Sequence, residues 1–132
     1  MKGLTTHVTK TLIPLSRIKC DDNSGAQILK IIGLKSYKGV RNRYPVAGIG
    51  STVICSVVKG DTKMIGTKVT AVITRQRKEF KRPNGTRISF EDNAAVLINE
   101  DGLPVGTEIK GAIAREVAER YPKVSAIAAV VV

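Results

Sequence analysis

Tryptophan is absent from this 132-residue chain, which has only two Phe, three Tyr and one His. A core without large rings must be assembled from Val, Ile, Leu and Ala, a composition that suits β-structure. The sole histidine, His7, stands in the N-terminal lead-in with no Cys, His or carboxylate cluster beside it. That leaves no expected metal site and no histidine-based acid–base pair. The two cysteines, Cys20 and Cys55, are far apart and form no CxxC pair. They are expected to be buried reduced thiols, as fits a reducing cytoplasm. No apolar run approaches the roughly 20 residues of a membrane span, and the start lacks a signal-peptide core. The apolar tail from Ala126 to Val132 is expected to pack on the core.

Acidic residues are scarce in one part of the chain. Residues 1–90 carry 18 basic and 4 acidic side chains, whereas residues 91–120 carry 3 basic and 7 acidic. The net charge of +11 is therefore unevenly placed. One part is suited to meet a polyanion, and the 91–120 part is suited to meet protein or solvent.

The segment from Lys68 to Ile98 concentrates this signal. Two apolar runs, Val69 to Ile73 and Ala94 to Ile98, flank a basic middle whose tip is Pro83-Asn84-Gly85. Proline pre-sets φ for a turn, and Asn-Gly accepts left-handed conformations. The pattern predicts one long β-hairpin, apolar at its base. Its distal half bears Arg75, Arg77, Lys78, Lys81, Arg82 and Arg87 against the single acid Glu79. Like charges on paired strands repel, a cost that a polyanion would remove. Isolated edge lysines usually serve only to block edge-to-edge pairing, but six cations on one arm favour nucleic acid. Replacing Arg75, Arg77, Lys81 and Arg82 with Ala is expected to weaken RNA binding and leave the fold intact.

A second basic element runs from Lys35 to Arg43. Lys35, Lys38, Arg41 and Arg43 occur there without an acid, bracketed by Tyr37 and Tyr44. Cations neutralise phosphates and aromatic rings stack on bases. These four cations and Tyr44 are therefore candidate RNA contacts.

The rest of the chain reads as short strands and turns. Residues 1–10 are an extended lead-in. Strands are expected over Leu12 to Cys20, Ala26 to Ile32, Thr52 to Val58 and Lys68 to Thr74. Asp21 to Gly25 reads as a solvated turn. Gly60 to Lys68 is not a phosphate loop, because five residues separate its glycines and the Lys-Thr order is reversed. Ala112 to Arg120 is the expected helix, with Arg115, Glu116, Glu119 and Arg120 on a charged face and Pro122 ending it. The tail from Val124 is read as a short helix and an extended end. The sum is a single domain over residues 1–132: a small, mainly β barrel with a projecting basic hairpin and one or two short C-terminal helices. Nothing in the chain resembles a nucleophile or acid–base site, so no enzyme and no cofactor are expected.

Four ordered motifs resemble one family. They are D-N-S-G-A (Asp22 to Ala26), R-K-x-x-K-R-P-N-G-T (Arg77 to Thr86), F-E-D-N-A-A-V-L-I-N (Phe90 to Asn99) and G-T-E-I-K-G-A-I-A-R-E (Gly106 to Glu116). The chain closely resembles the universal large-subunit ribosomal protein fourteen family over nearly its whole length beyond the first ten residues. The N-terminal extension, the loop from Arg41 to Gly50, Ile73 to Lys78 and Glu119 to Val124 resemble the archaeal and eukaryotic type. The proline of R-P-N-G and the A-A-V-L-I-N run point to the archaeal one.

The resemblance implies a closed five-stranded barrel with a protruding ribbon. It implies direct binding to large-subunit rRNA and a place on the intersubunit face, bridging to small-subunit rRNA. It implies large-subunit protein three and, in archaea, a small zinc-ribbon-type protein as neighbours, and a C-terminal surface that receives anti-association initiation factor six. Thr107, Glu108, Arg115 and Glu119 are the candidate protein contacts. Bacterial members tend to carry a basic residue where Glu108 stands and Gly-Pro where Gly111-Ala112 stands, so the bacterial silencing-factor surface is not carried over. On composition alone, a free-standing small-barrel RNA-binding factor remains the alternative, and residence in salt-washed large subunits separates the two.

Overall fold

The computed structural model describes residues 3–132, so Met1 and Lys2 of the expected lead-in lie outside the described residues. Five strands close a barrel: β1 (Arg17–Cys20), β2 (Ala26–Leu34), β3 (Thr52–Gly60), β4 (Lys68–Arg75) and β7 (Ala94–Leu97). Between β4 and β7 the chain makes a two-stranded ribbon, β5 (Phe80–Lys81) with β6 (Arg87–Ile88). After β7 come β8 (Ile109–Ile113), the helices α1 (Arg115–Arg120) and α2 (Pro122–Ala126), and β9 (Ala128–Val131), which pairs parallel to β8.

Antiparallel pairs run from β1 through β4 to β7, and a short parallel pair, β1 with β7, closes the ring. That closure has only two paired positions, Lys19 with Ala94 and Cys20 with Ala95. Asp22 extends it by side chain, since its Oδ2 accepts the Leu97 amide at 3.0 Å. Its Oδ1 accepts the Ser24 amide at 3.2 Å and the Cys20 thiol at 3.1 Å. Within the segment read as a solvated turn Asn23 is exposed, but Asp22 is only 5% exposed and belongs to the seam. The acid is tolerated there because backbone donors satisfy it.

Two cores share strands β4 and β7. Ala71, Ile73, Ala95 and Leu97 fill the barrel with Ile18, Leu29, Ile31 and Val53. Val72 and Val96 point the other way and meet Phe80, Ile109, Ile113, Val117 and Val124. Strands covered on both faces read as unbroken apolar runs, which is why these two were legible in the sequence.

Two expectations are corrected here. The helix begins at Arg115 and not at Ala112, because Ile109–Ile113 is held as a strand between the tail and Asp21, whose carbonyl accepts the Lys110 amide at 2.9 Å. The tail ends in a strand, and its Ile127 and Ala128 pack on the second core as expected, but the Val130, Val131 and Val132 side chains are 53%, 45% and 40% exposed and do not. Its last residue is anchored through the backbone, by the Val132 amide on the Ile113 carbonyl and the Arg115 amide on the Val132 carbonyl, both at 2.9 Å. The basic hairpin is present as expected, and its ribbon is anchored. Phe80 is buried, and the ribbon lies back on the C-terminal layer.

Candidate RNA-binding surface

The ribbon turns at Pro83-Asn84-Gly85 as its residues dictate. Gly85 takes φ +89°, the Arg82 amide donates to the Thr86 carbonyl at 2.8 Å, and Asn84 Oδ1 accepts the Thr86 amide at 2.9 Å. Arg77, Lys78, Lys81 and Arg87 are exposed along it. Arg87 meets Glu79 at 3.0 Å in a solvent-exposed pair. Such a pair is worth about 0–1 kcal/mol, so it offers little resistance to a competing phosphate.

Arg75 and Arg82, expected beside these cations, are instead turned inward. A register shift between Ile73 and Arg75 re-aims the Arg75 side chain. Its guanidinium donates to Asp92 through Nε at 2.8 Å and Nη2 at 3.1 Å, donates to the Ala112 carbonyl at 3.1 Å, and pairs with Asp21. Burial alone would pull the Arg75 pKa down. The hydrogen bonds and charges of Asp92 and Asp21 outweigh that and hold it above its ordinary value. The Arg75 hydrogen bond in turn holds the Asp92 carboxyl below the usual range, helped by Lys19 at 3.4 Å. Arg82 donates to Glu116 from Nε at 2.9 Å and Nη2 at 3.2 Å, and to the Val132 carbonyl at 2.7 Å. Glu116 also accepts the Thr6 hydroxyl at 3.1 Å and is 2% exposed, so it leaves the charged helix face on which the sequence placed it. The fold therefore depends on Arg75 and Arg82, and replacing them along with Arg77 and Lys81 cannot leave it intact.

Lys35, Lys38, Arg41 and Arg43 are all exposed on the loop after β2, and Tyr44 is 79% exposed. The loop is tightly folded. Ser36 and Asn42 take positive φ, the Lys35 amide donates to the Thr52 carbonyl at 3.1 Å, and the Arg43 amide donates to the Val40 carbonyl at 3.1 Å.

The lead-in joins the two basic elements. From Leu4 to Thr9 it alternates, with Leu4, Thr6 and Val8 turned in and Thr5, His7 and Thr9 turned out. Thr5, His7 and Thr9 line a groove of about 650 Å³ with Lys78, Lys81 and Arg87. One residue later, Lys10 lines a second cleft with Lys35, Lys38, Arg43 and Tyr44. Gln76, fully buried, fixes this arrangement. Its Nε2 donates to the Thr9 carbonyl at 2.7 Å and its Oε1 accepts the Ile49 amide at 3.2 Å. Sequence reasoning passed over Gln76 and Lys10. The only available signal for Gln76 was an uncharged amide within R-Q-R-K.

The four candidate protein contacts are not gathered into one patch. Thr107 and Glu108 precede β8, and Arg115 and Glu119 follow it. At about 3.3 Å per residue the strand sets the two pairs roughly 15–20 Å apart. Thr107 is bonded to Asn23 through both its amide and hydroxyl at 2.8 Å, and Glu119 accepts the Thr5 hydroxyl at 3.0 Å. Among the described residues no group of three or more His, Cys, Asp or Glu side chains is placed to hold a metal.

The chain is a small closed five-stranded β-barrel that carries a basic ribbon and a basic loop. Residues 11–132 match the family model described as ribosomal protein L14p/L23e, and the chain belongs to that family. It is 50% identical to large ribosomal subunit protein uL14 of Halorubrum lacusprofundi and 48% identical to that of Methanocorpusculum labreanum, over the full length of each chain. The uL14 of Methanothrix thermoacetophila is 47% identical over the same span. The chain is accordingly a structural constituent of the large ribosomal subunit and not an enzyme. It acts in the cytoplasm, in the ribosome, among rRNA and neighbouring ribosomal proteins. No helix among the described residues is long and apolar enough to cross a membrane.

Proposed function

We propose that this chain binds large-subunit rRNA directly through one composite cationic surface. Arg77, Lys78, Lys81 and Arg87 supply the ribbon half, and Lys35, Lys38, Arg41, Arg43 and Tyr44 supply the loop half. Arg75 and Arg82 serve this surface from within, by holding the ribbon to the barrel and the C-terminal layer. The observation that carries the reading is the lead-in, whose outward residues line the ribbon groove and whose Lys10 lines the loop cleft. Eight exposed cations, six of them lining the two clefts, match a phosphate backbone better than any small ligand.

The same surface, on the intersubunit face, contributes a bridge to small-subunit rRNA. Protein neighbours meet the exposed apolar edge of Val130, Val131 and Val132 and, at separate places, Thr107 with Glu108 and Arg115 with Glu119. Large-subunit protein three and the small zinc-ribbon-type protein are the proposed neighbours, and anti-association initiation factor six docks on the C-terminal surface. The test is the variant with Arg77, Lys78, Lys81 and Arg87 all changed to Ala. It should keep the wild-type circular dichroism and melting temperature and lose at least tenfold in affinity for large-subunit rRNA. Unchanged affinity in a folded variant would overturn the assignment.

A further inference from the structure

The cleft at the 35–46 loop has features that phosphate neutralisation does not require. It encloses about 540 Å³, within the ordinary range for a small-ligand cleft, and combines apolar Leu34 and Val46 with two tyrosines and three of the loop cations. The five aromatic side chains of this protein are otherwise accounted for. Phe80 is buried, Phe90 packs on the second core, Tyr121 is half-buried with its hydroxyl 2.6 Å from that of Thr52, and Tyr37 is 38% exposed. The Tyr37 ring lies so close over Gly39 that a Cβ there would come within 2.7 Å of it. Only Tyr44 presents most of its ring to solvent.

That ring is presented by a stiff backbone. The Tyr37 hydroxyl donates to the Tyr44 carbonyl at 3.4 Å, a weak tether, and Pro45 restricts the Tyr44 backbone. Displaying an aromatic ring beside a cleft edged by cations gains nothing for binding a duplex, whose bases are stacked away. It matches recognition of unpaired RNA, in which splayed bases stack on aromatic faces while cations hold the flanking phosphates.

We infer that the Tyr37–Tyr44 cleft is a receptor for an unpaired nucleotide, with the base stacked on Tyr44 and its phosphates held by Lys35, Lys38 and Arg43. This rests on the RNA-binding reading and adds a preference for single-stranded or bulged RNA over duplex. The site is a stacking platform, and specificity for one base is not part of it.

The absence of tryptophan makes the test direct, because tyrosine emission is unobscured. The full-length protein is titrated with a mixed-sequence single-stranded RNA and with its blunt duplex, at one salt concentration. Single-stranded RNA should quench tyrosine emission, and Tyr44→Ala should remove most of that quenching. Tyr44→Ala should lose about 5- to 100-fold in single-strand affinity with duplex affinity unchanged, whereas Tyr44→Phe should bind within about threefold of wild type. Equal losses on both RNAs, or none on either, would overturn the nucleotide receptor while leaving RNA binding in place. Failure of wild-type protein to bind either RNA would remove the RNA-binding reading and the receptor with it.

Discussion

Arg82 and Glu116 lie 34 residues apart in sequence and are joined by two hydrogen bonds of 2.9 and 3.2 Å, with side chains only 9% and 3% exposed. The pair fastens a ribbon that meets solvent to a helix of the C-terminal layer. A buried charge pair need not add net stability, but losing one partner strands the other. Arg82→Ala should therefore cost about 3–5 kcal/mol. The double replacement Arg82→Met with Glu116→Leu should recover most of that loss. Urea unfolding of the two single variants and the double variant measures the coupling, and simple additivity would contradict it.

Gly111 and Arg75 make a second such relationship. A Cβ at residue 111 would overlap the Arg75 guanidinium. Gly111→Ala should cost about 1–3 kcal/mol as an overpacked site. The penalty should shrink but not vanish in an Arg75→Met background, since the guanidinium is gone while the Asp21 carboxylate, 2.5 Å from that Cβ, remains. Thermal melts of the four proteins decide this, and an undiminished penalty would place the clash elsewhere.

Acid unfolding should report Asp92. Its folded pKa lies below the ordinary value of 3.8, so the unfolded chain binds the proton more tightly. The contribution is complete above pH 5 and is lost as pH falls through the depressed folded pKa. Asp92→Asn should lower stability at pH 7 and flatten the decline below about pH 4. Denaturant midpoints across pH 2–7 check the sign, and a steeper acid decline in the variant would refute it.

The thiols should be inert. Burial pushes both Cys20 and Cys55 up to about 12, and Asp22 adds to the effect at Cys20. Iodoacetamide at pH 8 should label neither in native protein and both in denaturant, because thiolate is the reactive form. Mass spectrometry reads the outcome, and rapid native labelling would show that the barrel opens.

Much of the fold was legible because its strands obey simple rules. β4 and β7 read as apolar runs since both faces are covered, and Pro83-Asn84-Gly85 announced its turn. What escaped were decisions made by distant partners. Arg75 and Arg82 look identical in sequence to Arg77 and Arg87, and only Asp21 and Asp92 at the barrel and Glu116 on the C-terminal layer separate the buried pair from the exposed one. Ala112 and Ile113 fall within the helix expected from sequence, but the tail and Asp21 hold Ile109–Ile113 as a strand. The loop from Lys35 to Tyr44 was found correctly as an exposed basic element because local composition alone decides it.

The central claim is a composite cationic surface with a specific rRNA site. Its most direct test is binding to a large-subunit rRNA fragment against an unrelated RNA of equal length, across a salt series. The account predicts a steep slope of log affinity on log salt, about −3 to −6 if roughly half or more of the eight exposed cations meet phosphates, and a preference for the rRNA that survives at high salt. A flat slope, or a steep one with no preference for the rRNA, would contradict it.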